Sequence, residues 1–466
     1  MIRALLFVVL CAASTFLSAA SGLAPKDLAA ATALRESALK SDLAYEILES
    51  LTTEIGPRMA GSDNDPRAVA WAIAKLKSLG FSNVRKEAFT YPLWRRGAES
   101  AEVLLPFPQK LVFTALGGSI GTPAAGVRAS VVEVASFEQL LTTDPSKVEG
   151  KIVFISNRMA ASVDGSGYGT AVLARSRGAS AAAKMGAIAL VIRSIGTSND
   201  RVAHTGMASY DPTITRIPAG ALSNPDADLL AHMLKRGQPV ELRVVIGARL
   251  GGEATGYNVI GEVLGREKPE ELVVIGGHLD SWDLGTGAID DGAGVAITTA
   301  AAALIGKQPR PRRTIRVVLW GNEEQGVWGG KAYARENAGR LKQHIIGAES
   351  DFGAGRVLRF STFTSDDAAD DIEQIMSVLS PLGIERGDNA ANGGPDLGAM
   401  KALGMAMATL HQDGTHYFDY HHTANDTLDK VDPEALKQNV AAYVVFAYLA
   451  AQSTRNFGFG LKAALK

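Results

Sequence analysis

LVVIGGHLDSWDLGTGAIDDGAG, residues 272–294, sets the reading of the whole chain. Leu272 to Ile275 is an unbroken apolar run, the pattern of a strand covered on both faces. Two glycines follow, then His278 and, two residues on, Asp280. Asp290 and Asp291 lie just before Ala293 to Leu304, an almost wholly apolar stretch at helical length that should be buried. Strand, polar loop and buried helix make one α/β unit. In open α/β sheets, ligands gather where strands end at their carboxyl edge, which is where His278 falls.

The pattern repeats downstream. IRVVLWGNEEQG leads into Glu323 and Glu324, HIIGAESDFG into Asp351, and GMAMATL is followed by YHHTANDT with His421 and His422. Four loops after four strands would meet at one rim. Any one of these residues alone reads as a core histidine or a helix-capping acid. Together they offer imidazole nitrogens, carboxylate oxygens and one carboxylate to spare, which is what two zinc ions need. Asp290, twelve residues past His278, could bridge two metals through its two oxygens. Asp280 is expected to accept the proton on the other ring nitrogen of His278, and Asp291 to help close the turn. Glu323 and Glu324 are adjacent and so diverge. One suits a ligand and the other a free carboxylate acting as general base, later as acid toward the leaving amine.

The N-terminus has Arg3, an apolar run from Ala4 to Leu17, and small residues at Ser18-Ala19-Ala20. This is the pattern of a signal peptide, residues 1–20, too short for a comfortable membrane span. It implies export, periplasmic or secreted, with no membrane span after cleavage. The single cysteine, Cys11, falls inside that segment, so neither disulfides nor a thiolate ligand are expected in the mature chain. A net charge of −2 without a basic run excludes nucleic acid as a natural partner. Residues 21–114 hold two helical stretches and the strand-like KEAFTYPLW, and belong with 246–466. Between them, 115–245 read as an inserted α+β unit with short β-like runs (SVVEVAS, KIVFIS, ALVIRS, VELRVVIG) and one Ala-rich helix. His204 and His232 stand in no metal-like spacing and read as core or surface histidines.

These motifs resemble the co-catalytic zinc exopeptidases, the aminopeptidase/glutamate carboxypeptidase-like family. The resemblance implies a phosphorylase/hydrolase-like α/β fold, a mixed β-sheet flanked by helices, with 115–245 as an inserted protease-associated domain. It implies two Zn2+ per chain, His278 and Asp351 on one, Glu324 and His422 on the other, and Asp290 bridging. Glu323 is then the catalytic base for a bridging hydroxide that attacks dipeptides or short peptides. His421 takes the place where many relatives have a tyrosine that steadies the tetrahedral oxyanion, which makes it a candidate for contact with oxyanion or substrate. The resemblance also suggests a homodimer. Two alternatives keep the same residues: a single-zinc acyl transferase resembling glutaminyl cyclases, and a binding or receptor module in which the inserted unit does the work.

Overall fold

The apolar runs of the C-terminal half become the centre of a mixed eight-stranded sheet. The computed structural model describes residues 22–458, so the expected signal segment, 1–20, lies outside the described residues. The strands of this sheet are β1 (Ser82–Arg95), β2 (Arg249–Val263), β3 (Lys268–His278), β4 (Arg313–Trp320), β5 (His344–Glu349), β6 (Val357–Phe363), β7 (Glu385–Arg386) and β8 (Met407–Gln412). Their order across the sheet is β1-β2-β4-β3-β5-β8-β6-β7. The four central strands β4, β3, β5 and β8 are parallel. Their carboxyl ends therefore fall on one edge, and the loops that follow them emerge side by side.

Burial explains why β3 sits in the middle. Val273, Val274 and Ile275 are fully buried, and each such side chain is worth about 1.5–3 kcal/mol when removed from water. One face is covered by the helix Ala293–Gly306, buried from Ala293 to Ile305, and by the final helix Pro433–Gln452. Asp432 caps the latter by accepting the Glu434 N–H, with Pro433 in the first turn, as its sequence suggests. The N-terminal helical stretch is two helices, Pro25–Ala38 and Leu43–Ser50. Ser41 and Asp42 part them, and the Ser41 hydroxyl accepts the Leu43 N–H at 3.3 Å.

A second eight-stranded sheet gathers the intervening residues, in the order Gln109–Leu111, Glu99–Leu105, Glu241–Ile246, Val127–Val134, Ile152–Ile155, Ala189–Arg193, Ala219–Leu222 and Phe113–Ala115. Here the structure corrects the division at residue 115. Ala101 and Val103 pair with Val244 and Leu242 and are buried with them. The strands from Glu99 onward thus belong to this second sheet. The correction has a physical cause: the pairing spans more than a hundred residues, and the alternation of 99–105 does not reveal its partner. The Ala-rich segment is the helix Tyr168–Lys184, whose Arg175 reaches His422 in the loop that follows β8.

His344, at the start of β5, gives the fold a pH dependence. Its Nδ1 faces the Arg340 carbonyl at 3.1 Å and its Nε2 the Tyr333 hydroxyl at 2.9 Å. Burial pushes its pKa down from 6.5 to about 4. The folded chain keeps this imidazole neutral while the unfolded chain protonates it, so its contribution shrinks as pH falls from about 6.5 to about 4. Relative to His344→Gln, the wild type should lose about 1.4 kcal/mol of unfolding free energy per pH unit across that window. Urea unfolding of both proteins at several pH values measures this, and parallel curves would remove His344 as the cause.

Candidate active site

The four strand-end loops bring the expected residues together. Asp290 stands at the centre. Its Oδ1 is 3.2 Å from His278 Nε2, and its Oδ2 is 3.3 Å from His422 Nε2. Asp351 Oδ1 is 3.5 Å from His278 Nε2, and Glu324 Oε2 is 3.0 Å from His422 Nε2. Two donors each about 2.0–2.1 Å from a tetrahedral zinc stand roughly 3.4 Å apart, close to all four separations. His421 stacks on His422 with ring centroids 3.5 Å apart, and its Nε2 is 3.7 Å from Asp290 Oδ2. Glu324 is buried, whereas Glu323 is half-buried on the cleft wall.

The hydrogen bonds explain the orientation of these groups. His278 Nδ1 faces the Asp280 carbonyl at 3.0 Å and His422 Nδ1 the Thr205 carbonyl at 3.2 Å. With Nδ1–H donated to a carbonyl, each Nε2 turns a lone pair toward carboxylate oxygens. Acceptor then faces acceptor, and Asp290 Oδ2 and Glu324 Oε1 are buried without a hydrogen-bond partner. A cation between them resolves both problems, so the donor set fits zinc. Asp280 corrects the expectation in detail. Its carboxylate lies 3.7 Å from His278 Nδ1 and instead accepts the backbone N–H of Glu323 at 3.0 Å and of Glu324 at 3.4 Å. It thereby aims the glutamate pair, while its main-chain oxygen orients His278. Asp291 closes the turn, accepting the N–H of His278 at 2.9 Å and of Gly294 at 3.1 Å.

Charge imbalance tells the same story. Burial lowers the His422 imidazole, but the Glu324 charge and contacts with Asp290 and Glu324 outweigh it and raise its pKa to about 9. His278 is held well above its usual value in the same way, burial being overcome by Asp290 and Asp351. Burial drives Glu323 well up; His278 opposes this, and the neighbouring carboxylates of Asp351 and Glu324 add to it. Among protein groups alone the site holds too much negative charge, a condition that a bound dication relieves.

Several contributors were not visible as functional residues in the sequence. Arg58, fully buried, donates to the carbonyls of Leu279, Thr286 (2.7 Å) and Gly287 (2.9 Å), strapping down the loop between His278 and Asp290. Asp426 accepts the N–H groups of Ile289 at 2.6 Å and Asp290 at 3.2 Å. From the unit built on the second sheet come Thr205, in a loop, which holds His422, and Tyr168 and Arg175, on the helix Tyr168–Lys184, which line the cleft. Asn322 and His422 have φ of 54° and 62°, a left-handed backbone that non-glycine residues seldom adopt and that clusters at functional sites. His204 is buried, with Nδ1 2.7 Å from the His421 carbonyl, and His232 is exposed. Both stand outside the donor cluster. The cleft over the cluster has a volume of about 1090 Å³, ample for a short peptide.

A mixed sheet with nitrogen and oxygen donors converging on one carboxylate at its carboxyl edge, under an open cleft, defines a metal-dependent hydrolase. The profile of Peptidase family M28 matches residues 258–447. Carboxypeptidase Q of Bos taurus is 36% identical over 408 residues, 87% of this chain and 85% of the relative, and that of Homo sapiens is 34% identical over 408 residues with the same coverage. The crystal structure of a peptidase M28 precursor from Shewanella amazonensis SB2B is 53% identical, with a TM-score of 0.91 over 93% of this chain and 98% of that one. An aminopeptidase from Aneurinibacillus sp. strain AM-1, 23% identical, shares the fold with a TM-score of 0.63 over 91% of this chain and 97% of that one. The chain belongs to peptidase family M28 and is a zinc metallopeptidase.

Proposed function

We propose that this enzyme is an exported exopeptidase that hydrolyses dipeptides and short peptides with two zinc ions per chain. His278 and Asp351 would hold one ion and Glu324 and His422 the other, with Asp290 placed to contribute to both. The observation that carries this reading is the position of Asp290, with one oxygen toward His278 and the other toward His422 at nearly equal distances. Zinc bound there supplies Lewis acidity, polarising the peptide carbonyl and lowering the pKa of the attacking water. Glu323, outside the ligand set and facing the cleft, takes the proton of that water and returns it to the departing amine. His421, stacked on His422 beside the cleft, is positioned to contact the oxyanion or the substrate. The unit built on the second sheet acts as a protease-associated domain and forms one wall of the cleft. The relatives named carboxypeptidase Q support the exopeptidase reading, and a homodimer secreted or held in a periplasm completes it.

Hydrolysis of a dipeptide panel, with free or blocked termini and with or without a chelator, tests this. Chelator-sensitive cleavage of unblocked dipeptides is expected. A zinc-loaded protein that cleaves none of them would refute the reading.

A further inference from the structure

Arg175 is a buried cation with no carboxylate in direct contact among the described residues. It is 7% exposed and forms no ion pair with any of the described residues. Its contacts carry no negative charge: one Nη donates to the Thr205 carbonyl at 3.4 Å and lies 3.3 Å from His422 Nδ1, and the other donates to the Tyr168 hydroxyl. Its Nε is buried without a partner. The other buried arginines are compensated. Arg193 meets Asp228 at 2.8 Å, Arg313 meets Glu271 at 2.6 Å, and Arg58 donates to three carbonyls within the field of Asp426. Burying an unpaired guanidinium is costly. Here that cost falls on the wall of the catalytic cleft, which Arg175 lines together with Tyr168.

We infer that Arg175 and Tyr168 receive the free α-carboxylate of the substrate, making the enzyme a dipeptidase or carboxypeptidase that releases a single C-terminal amino acid. The inference rests on the peptidase reading above and adds the end of the peptide that is recognised. A planar guanidinium matches a carboxylate with two parallel hydrogen bonds. Tyr168 accepts from Arg175, which leaves its own O–H free to donate to the same carboxylate. The C-terminal carboxylate is the one anion every unblocked peptide carries. The placement fits as well: an Arg175 Nη is 3.3 Å from His422 Nδ1, and the Nε2 of that ring is 3.3 Å from Asp290 Oδ2. The anion receptor is thus separated from the reacting centre by little more than an imidazole. A peptide residue spans about 3.3–3.6 Å, so room remains for one residue beyond the scissile bond. Gly206 makes the approach possible, since a Cβ there would lie 2.3 Å from Arg175 and 2.7 Å from His422 Nδ1.

The test compares alanyl-leucine, its C-terminal amide and its N-acetyl form in the wild type, Arg175→Gln, Arg175→Lys and Tyr168→Phe, with zinc content measured for each. The wild type should prefer the free acid to the amide by roughly ten- to a hundred-fold in kcat/KM, the range of a charge-assisted pair. Arg175→Gln should erase that preference through KM for the acid alone, Arg175→Lys should keep part of it, and Tyr168→Phe should reduce it. Calorimetry supplies a readout apart from turnover: leucine should bind the wild type at least ten-fold more tightly than leucinamide, and equally weakly to Arg175→Gln. An amide cleaved as well as the acid by the wild type overturns the inference. So does an equal fall on both substrates in Arg175→Gln, or loss of cleavage on N-acetylation alone. If the zinc-loaded wild type cleaves no peptide, the peptidase reading fails with it, whereas cleavage without discrimination fails only this inference.

Discussion

Glu323→Gln should lower kcat by about 10²–10⁴-fold, the range for removing a positioned general base, with little change in KM and no change in zinc content. Gln keeps the shape and the backbone hydrogen bond to Asp280, 3.0 Å from the Glu323 N–H, but cannot carry the proton. Glu323 is half-buried in the cleft wall and makes none of the close imidazole contacts that Glu324 makes with His422 at 3.0 Å. Removing its charge should therefore leave the ligand cluster intact. Steady-state kinetics with metal analysis separates the two effects. Loss of zinc in this variant would place Glu323 among the ligands and undo the division between the adjacent glutamates.

Asp290→Ala should do the opposite, removing metal and activity together. Among the described residues, Asp290 is the only carboxylate that contacts both His278 and His422, at 3.2 and 3.3 Å. Without it the two halves of the cluster have no shared ligand. The loss of several kcal/mol of charge stabilisation corresponds to a fall of roughly 10³-fold or more in kcat/KM. Two imidazoles and the surrounding acids would also lose their central partner, so the variant should bind fewer zinc ions per chain than the wild type. A variant that keeps the full zinc complement and near-normal turnover would show that Asp290 is not the bridge.

The pattern of residue types explains what could be read in advance. His278, Glu323, Glu324 and Asp351 each follow an apolar run that could only be a buried strand, so strand ends and chemistry were marked by the same boundary. The long apolar stretch after Asp291 is the helix Ala293–Gly306, buried because almost no polar face exists to expose. Arg58, Thr205 and Arg175 escaped for a different reason. A lone arginine in a Gly/Pro loop, or on an Ala-rich helix, ordinarily faces water. The roles of these three depend on partners more than two hundred residues away, which no local period encodes. Asp426 lay inside the motif quoted for His422, yet nothing in its spacing shows that it holds the backbone of Asp290. The carboxylate of Asp280 has its partners across two loops: proximity in sequence points it to His278, which meets the main-chain oxygen of Asp280 instead, while the folded loops bring the carboxylate to the Glu323 and Glu324 amides.

In the function proposed above, one carboxylate, Asp290, joins two metal positions. Zinc quantified per chain on freshly purified enzyme, titrated back after chelation while dipeptide hydrolysis is followed, tests it most directly. Two zinc ions per chain are expected, with full activity only as the second is restored. One tightly held zinc ion that already supports full activity would contradict it.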